Sequence, residues 1–148
     1  MSTQSAPAPL HLVLGDEELL VERAVRAVVD AARVADPDVE VRRMRAPEAT
    51  PADLAAALSP SLFAEARVIV LDGAHEAGKD ASAAIVEHVT VPGDDVTVVV
   101  LHAGGARNKA LADALQVKGT PTIYVNGREY DTHQDLDEWV SSELAETK

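Results

Sequence analysis

The chain has 148 residues, a mass of 15.6 kDa and a net charge of −12. It contains no cysteine, which excludes disulfides, thiolate metal sites and cysteine-based catalysis. The excess of acidic residues disfavours autonomous binding to DNA or RNA, whose backbones are polyanions. No apolar run approaches the roughly 20 residues needed to span a bilayer, and residues 1–9 lack the pattern of a secretory signal. We therefore expect a cytoplasmic protein with no membrane partner, in which residues 1–9 form a disordered leader.

Short apolar runs alternate with helical patterns in the first part of the chain. The first run, residues 10–14, precedes a helix that we expect to open with Asp16 as its N-cap and to continue to about Val34. The second run, residues 39–44, is interrupted by arginines, which is typical of a strand at the edge of a sheet. Residues 50–53 (Thr-Pro-Ala-Asp) then start a second helix, since they carry a capping threonine, a proline at the first helical position and an acid in the first turn.

Two more strands and two more helices complete this alternation. Residues 68–71 and 96–101 are the strands, and residues 80–89 and 106–115 are the helices that follow them. Crossovers of this length predict a doubly wound α/β domain, a three-layer sandwich around a mainly parallel sheet. We predict the strand order second, third, fourth, first.

The last 33 residues have a different pattern. A short strand, an Asn-Gly turn and a return strand predict a hairpin over residues 119–130. Apolar residues at helical spacing predict a terminal helix from about residue 135. We expect the hairpin to extend the sheet beside the first strand, with at least one antiparallel strand, so that residues 10–148 form a single domain.

A phosphate-loop pattern follows the third strand. Gly73, Gly78 and Lys79 match GxxxxGK. Asp80 stands where a hydroxyl should contact magnesium, and nucleotide folds of this type carry the loop after the first strand instead. A weak nucleotide site and an ordinary turn with two glycines are the two interpretations, and we favour the turn.

Other chemical motifs give little indication of catalysis. The loop after the first strand, residues 15–18, has one glycine, three acids and no lysine, so its field repels phosphate. The five histidines show no metal-ligand spacing, and there is no G-x-S-x-G motif. We therefore expect no metal, no cofactor and no enzymatic activity.

Leu62 and Phe63 are adjacent, after Pro60 and before the third strand. Neighbours on one helical turn cannot both point inward, so at least one of them is expected to be exposed. An exposed Leu-Phe pair is a suitable anchor for a hydrophobic pocket on a partner protein. The alternative, that Phe63 covers the edge of the sheet, is equally compatible with residue chemistry.

Three segments, residues 10–23, 58–71 and 98–111, resemble in order the N-terminal domain of the delta subunit of the bacterial DNA polymerase III clamp loader, in its actinobacterial form. The resemblance covers about residues 10–115. It implies an AAA+-like domain whose degenerate phosphate loop does not bind ATP. In that family a Leu-Phe pair enters a hydrophobic pocket of the sliding clamp and helps to open its ring, and Leu62 and Phe63 stand at that motif.

Residues 116–148 resemble instead the C-terminal part of a DsbA-like thioredoxin-fold protein. This resemblance implies a cis peptide bond between Thr120 and Pro121, followed by the closing hairpin and the last helix. The CxxC half of that fold is missing, so thiol–disulfide exchange is excluded. The sequence therefore predicts a chimera, engineered or naturally recombined, in which each fragment supplies what the other lacks.

The function that these resemblances imply is non-catalytic binding of the bacterial sliding clamp, within DNA replication and without direct contact to nucleic acid. Since the later domains of that family do not follow the delta-like part in this sequence, we expect that it does not assemble a clamp loader. Three alternatives stay open. They are a chimera with no retained activity, a thioredoxin-derived protein without redox activity, and a weak nucleotide binder that uses residues 73–79.

Overall fold

A computed structural model describes residues 10–59, 65–90, 95–104, 108–119, 122–125 and 128–129. Its six strands are β1 (Leu10–Leu14), β2 (Glu40–Arg45), β3 (Arg67–Asp72), β4 (Val96–His102), β5 (Thr122–Val125) and β6 (Arg128–Glu129). Its four α-helices are α1 (Glu18–Ala35), α2 (Pro51–Leu58), α3 (Lys79–Thr90) and α4 (Lys109–Gly119). Two 3-10 turns, Ala46–Glu48 and Ala74–Glu76, follow β2 and β3.

All six strands form one sheet in the order β2-β3-β4-β1-β5-β6. The first five are parallel, and β6 returns antiparallel to β5. The predicted order of the first four strands is therefore confirmed, as is the addition of the hairpin beside β1. Leu12 lies opposite Val100 on one side and Ile123 on the other, so residues from the last part of the chain pair directly with the first strand.

Helices cover both faces of the sheet, which confirms the three-layer α/β architecture. On one face α1 packs its valines and alanines against alternate residues of β1, β3 and β4, such as Val13, Val70 and Val99. On the other face α2, α3 and α4 pack against the intervening residues, and Leu12, Ile69 and Ile123 belong to that larger cluster. The central strands are apolar on both faces because helices bury both faces.

Two helix starts differ in how far they match the predictions. Thr50 caps α2 as expected: its Oγ1 accepts the N–H of Asp53 at 3.0 Å, and the Asp53 carboxylate accepts the N–H of Thr50 at 3.1 Å. The bond from the backbone N–H of Thr50 to the carboxylate lowers the pKa of Asp53, and a hydrogen bond from the Thr50 side chain lowers it further. The prediction that Asp16 caps α1 is wrong, because the N-cap is Glu17, which makes no side-chain capping bond.

β2 is an edge strand, as its arginines indicated, and most of its residues are exposed. No helix in the described ranges is both long and apolar enough to cross a bilayer.

Candidate functional site

A crevice opens at the carboxyl ends of β1, β3 and β4. At this point the chain leaves β1 toward α1 on one face and leaves β4 toward α4 on the other face. Such a switch in direction is where open α/β sheets usually bind ligands. The cavity has a volume of about 340 Å³. It is lined by Gly15, Asp16, Glu18, Val21, Glu22, Arg43, Asp72, Gly73, His75, Leu101, His102 and Ala103.

The floor of the crevice is set by Gly15. Its φ of 143° lies in the region that favours glycine, and its N–H donates to the carbonyl oxygen of His102 at 3.0 Å. This bond joins the end of β1 to the end of β4. The chain then turns into α1, so that Asp16 and Glu18 stand at the mouth of the cavity.

Arg43 lies between two carboxylates at the side of the crevice. Its Nη1 and Nη2 donate to the two oxygens of Glu22 at 2.9 and 2.5 Å, and Nη2 also donates to Asp72 at 3.3 Å. The hydrogen bond from Arg43 lowers the pKa of Glu22, and the hydrogen bond to Glu22 raises the pKa of Arg43. Both side chains are more than two-fifths exposed, so solvent screens much of this attraction.

Arg45, at the end of β2, lies against the backbone of Gly73. A Cβ atom at Gly73 would stand 2.7 Å from Nη1 of Arg45, and Gly73 itself has a φ of 69°. Arg45 lies 3.4 Å from Glu76 and 3.9 Å from Asp72, which joins β2 to the turn that follows β3. Glycine at position 73 therefore allows both the left-handed turn and the close approach of the guanidinium.

Two histidines form the inner wall. The rings of His75 and His102 meet edge to face, with centroids 5.7 Å apart. The N–H of Ala103 donates to Nδ1 of His75 at 3.1 Å, and the N–H of Gly104 donates to Nδ1 of His102 at 2.9 Å. Nε2 of His102 lies 3.0 Å from the carbonyl oxygen of Asn108. The backbone donors assign the proton of each neutral ring to Nε2.

Asn108 completes the connection between the two loops. Its φ is 49°, a conformation that asparagine tolerates better than most residues. Its side-chain amide donates to the carbonyl oxygen of Ala74 at 3.1 Å and to Oγ of Ser82 at 3.0 Å. The start of α4 is thus tied to the turn after β3 and to α3.

The charge of the crevice opposes anionic ligands. Its lining contains four carboxylates, from Asp16, Glu18, Glu22 and Asp72, and one guanidinium, from Arg43. That guanidinium is already paired with two of the carboxylates. The position where a nucleotide fold of this type would hold phosphate therefore carries a negative field.

The phosphate-loop candidate of residues 73–79 lies on the turn between β3 and α3. Within it, the N–H of Glu76 donates to the carbonyl oxygen of Gly73 at 2.9 Å, and the N–H of Ala77 donates to that of Ala74 at 3.1 Å. These two amides are engaged in the 3-10 turn. Gly78 precedes α3, and Lys79 is its first residue. The favoured interpretation of this loop is a turn, and the two engaged amides weaken the alternative of phosphate binding.

Two other predicted sites fall outside the described residues. They are the Leu62–Phe63 pair and the Thr120–Pro121 bond. The described residues on either side of the Leu62–Phe63 pair lie where the parallel strands begin, which is the edge of the sheet opposite the crevice and is called the amino-end edge below. There the N–H of Arg67 donates to the carbonyl oxygen of Asp95 at 2.8 Å, and the Arg67 guanidinium donates to the carbonyl oxygen of Ser59.

Several crevice residues carry no motif in the sequence. Asp72, His75 and His102 have no ligand spacing, and the four histidines of residues 10–104 were interpreted only as structural or surface groups. Their position just after apolar runs was an available indication, because the carboxyl ends of parallel strands meet at one edge. No group of three or more histidine, aspartate or glutamate side chains suited to a metal ion occurs among the described residues.

The Bacillus subtilis DNA clamp loader delta protein (YqeN) is a solved structure similar to this chain, with a TM-score of 0.52 and 15% sequence identity. The similarity covers 80% of this chain and 38% of that chain. The chain has a clamp-loader-like fold. It spans well under half the length of the delta protein that it matches. No family model matches the sequence, and no curated protein matches it either.

Proposed function

We propose that the chain is a non-catalytic interaction domain of DNA replication that binds the bacterial sliding clamp through Leu62 and Phe63. The observation that carries this proposal is the combination of a clamp-loader-like fold with a crevice whose charge opposes phosphate. Carboxylates at the switch point of the sheet oppose the phosphates of ATP, which supports a non-catalytic role over ATP hydrolysis.

The connection between α2 and β3 supports the location of the binding site. α2 ends at Leu58, and the Ser59 hydroxyl and N–H both donate to the carbonyl oxygen of Ala55, at 2.5 and 3.0 Å. On the other side of the connection, Arg67 begins β3 and donates to Ser59. Both ends of the segment that contains Leu62 and Phe63 are therefore anchored by described contacts. Anchored ends reduce the entropy that is lost when such a segment binds a partner.

Calorimetric titration of the sliding clamp with the full chain tests the proposal. The parent chain is expected to bind, and Phe63→Ala is expected to reduce affinity by at least about 30-fold, the cost of truncating a buried aromatic anchor. Leu19→Ala is the matched control, since Leu19 is 76% exposed on α1, at the crevice edge. Unchanged affinity in Leu19→Ala together with the loss in Phe63→Ala supports the proposal. Undetectable binding by the parent chain refutes it.

We also propose that the chain joins a delta-like part, about residues 10–115, to a thioredoxin-like part, about residues 116–148. The support is the way β5 and β6 extend the sheet: β5 pairs with β1, and Ile123 and Val125 enter the core cluster shared with α4. A separate crystal structure of the chain would test the origin of the tail through the Thr120–Pro121 bond. A cis bond supports a thioredoxin-like origin, and a trans bond contradicts it.

Nucleotide binding through Gly73, Gly78 and Lys79 is the remaining candidate. A thermal shift with magnesium-ATP that disappears in Lys79→Ala would establish it. We expect no shift, because two loop amides are engaged in the turn and Glu76 adds negative charge.

A further inference from the structure

Of the two histidines of the crevice wall, His75 joins loops that belong to different strands, whereas His102 holds the loop that follows its own strand. His75 follows β3; His102 ends β4, and Ala103 and Gly104 come directly after it. The ring of His75 accepts the N–H of Ala103, and the ring of His102 accepts the N–H of Gly104. Both bonds use the Nδ1 lone pair of an imidazole. Each bond therefore exists only while its ring is neutral.

A second partner is available to His75 when it is charged. Its Nε2 lies 3.5 Å from Oε1 of Glu76, a distance at which a protonated ring forms an ion pair. Protonation therefore exchanges one interaction for another: the acceptor bond to Ala103 is lost, and the attraction to Glu76 grows. His102 is 2% exposed, and its neutral ring is held on both sides, at Nε2 by the carbonyl oxygen of Asn108 and at Nδ1 by the N–H of Gly104.

The charged groups that surround the pair come from three neighbouring elements. The charged groups from the neighbouring elements are Glu76 and Asp72 at the end of β3, Arg43 and Arg45 on β2, and Asp16, Glu18 and Glu22 around the start of α1. Both arginines are paired with carboxylates of this set.

We propose that His75 and His102 form an acid-sensitive latch at the crevice. At neutral pH the ring of His75 holds Ala103 against the turn that follows β3, and the ring of His102 holds Gly104 within the loop that follows β4. When the rings take up protons, Nδ1 becomes a donor that faces another donor, and the two backbone amides are released. The wall of the crevice then loosens on the β4 side. This proposal does not depend on clamp binding, since its residues lie at the carboxyl ends of β3 and β4 and not beside Ser59 or Arg67, the described flanks of the connection between α2 and β3.

Amide hydrogen exchange by NMR on the full chain tests the latch. Between about pH 7.5 and about pH 5.0, the range in which histidine changes charge, the protection factors of Ala103 and Gly104 are expected to fall about fivefold to tenfold, the effect of losing one hydrogen bond. The protection factors of Val99 and Val100, in the middle of β4, are expected to stay constant. Equal behaviour of all four amides would overturn the proposal.

The variant His75→Asn distinguishes a loss of protection caused by protonation of His75 from a general loss of stability at low pH. The asparagine carbonyl oxygen can replace Nδ1 as the acceptor for Ala103, but it does not take up a proton in this range. We expect Ala103 to stay protected at both pH values in this variant. The matched control is His88→Asn on α3, which should keep the parent pH dependence. A parent-like loss of protection in His75→Asn contradicts the latch.

The imidazole nitrogen shifts of the parent chain give a readout that does not depend on the stability of a variant. The latch requires both rings to be neutral at about pH 7.5, with the proton on Nε2, because Nδ1 accepts a backbone N–H. A ring that is already charged at that pH, or that carries its proton on Nδ1, refutes the proposal.

Discussion

Ile123 provides the most direct test of whether the last part of the chain shares the core of the first part. Its side chain is 7% exposed and belongs to the larger core cluster, and its backbone pairs with Leu12 of β1. Ile123→Ala removes three carbon atoms from this cluster. At about 0.8 kcal/mol for each buried carbon, with a further cost for the cavity left behind, we expect a loss of about 3 kcal/mol in the free energy of unfolding.

Urea denaturation followed by circular dichroism measures this loss, and the melting temperature should fall by about 6–12 °C. Leu19→Ala is the control, since its exposed side chain should change stability by less than about 0.5 kcal/mol. Leu115→Ala on α4 calibrates the scale, because Leu115 is fully buried in the same cluster. If Ile123→Ala matched the Leu19 control while Leu115→Ala cost several kcal/mol, residues 122–125 would not share the interior.

Further predictions concern the cap of α2 and two residues of the crevice. Thr50→Ala removes the side-chain acceptor of the α2 cap and should reduce the free energy of unfolding by about 1 kcal/mol in chemical denaturation. Because the pKa of Asp53 is lowered in the folded chain, its carboxylate stabilises the fold above the ordinary aspartate pKa, and this stabilisation is lost as the pH falls through the lowered pKa. Asp53→Asn should therefore reduce the loss of stability on acidification, measured by chemical denaturation at several pH values. Glu22→Gln removes the ion pair with Arg43. Because the pKa of Glu22 is lowered, the stabilisation by this pair is also lost as the pH falls. The variant should lower the free energy of unfolding by less than about 1 kcal/mol, and by less still at high salt, since the pair is exposed. Gly73→Ala should lower the free energy of unfolding by about 1–3 kcal/mol, because alanine disfavours the left-handed φ of this position and its Cβ atom would clash with the guanidinium of Arg45. An unchanged stability would contradict that geometry.

The strands of the sheet could be predicted from the sequence because burial on both faces leaves nearly continuous apolar runs. β1 coincides with the predicted residues 10–14, and β4 extends the predicted run by one residue to His102. The predicted order of the first four strands placed the arginine-interrupted run at the edge of the sheet, and β2 lies there. The cap of α2 was also predictable, since threonine, proline and aspartate at this spacing act locally.

The crevice could not be predicted to the same extent because its contacts are made between distant parts of the chain. Arg43 was interpreted as a guard of the sheet edge, but its partner Glu22 is 21 residues away on α1. His75 and Ala103 are 28 residues apart, and no local pattern indicates that they meet. Asp16 had the chemistry of a cap, yet α1 begins two residues later and leaves that carboxylate at the mouth of the crevice.

Chemical-shift mapping of the labelled chain with unlabelled sliding clamp tests the central claim, clamp binding by the connection between α2 and β3, most directly. We predict that the perturbed amides include Ser59, Glu65 and Arg67, at the amino-end edge of the sheet. The amides of Gly15 and Gly73, at the crevice edge, should not change. Perturbations confined to the crevice edge, or none at saturating clamp, would contradict the claim.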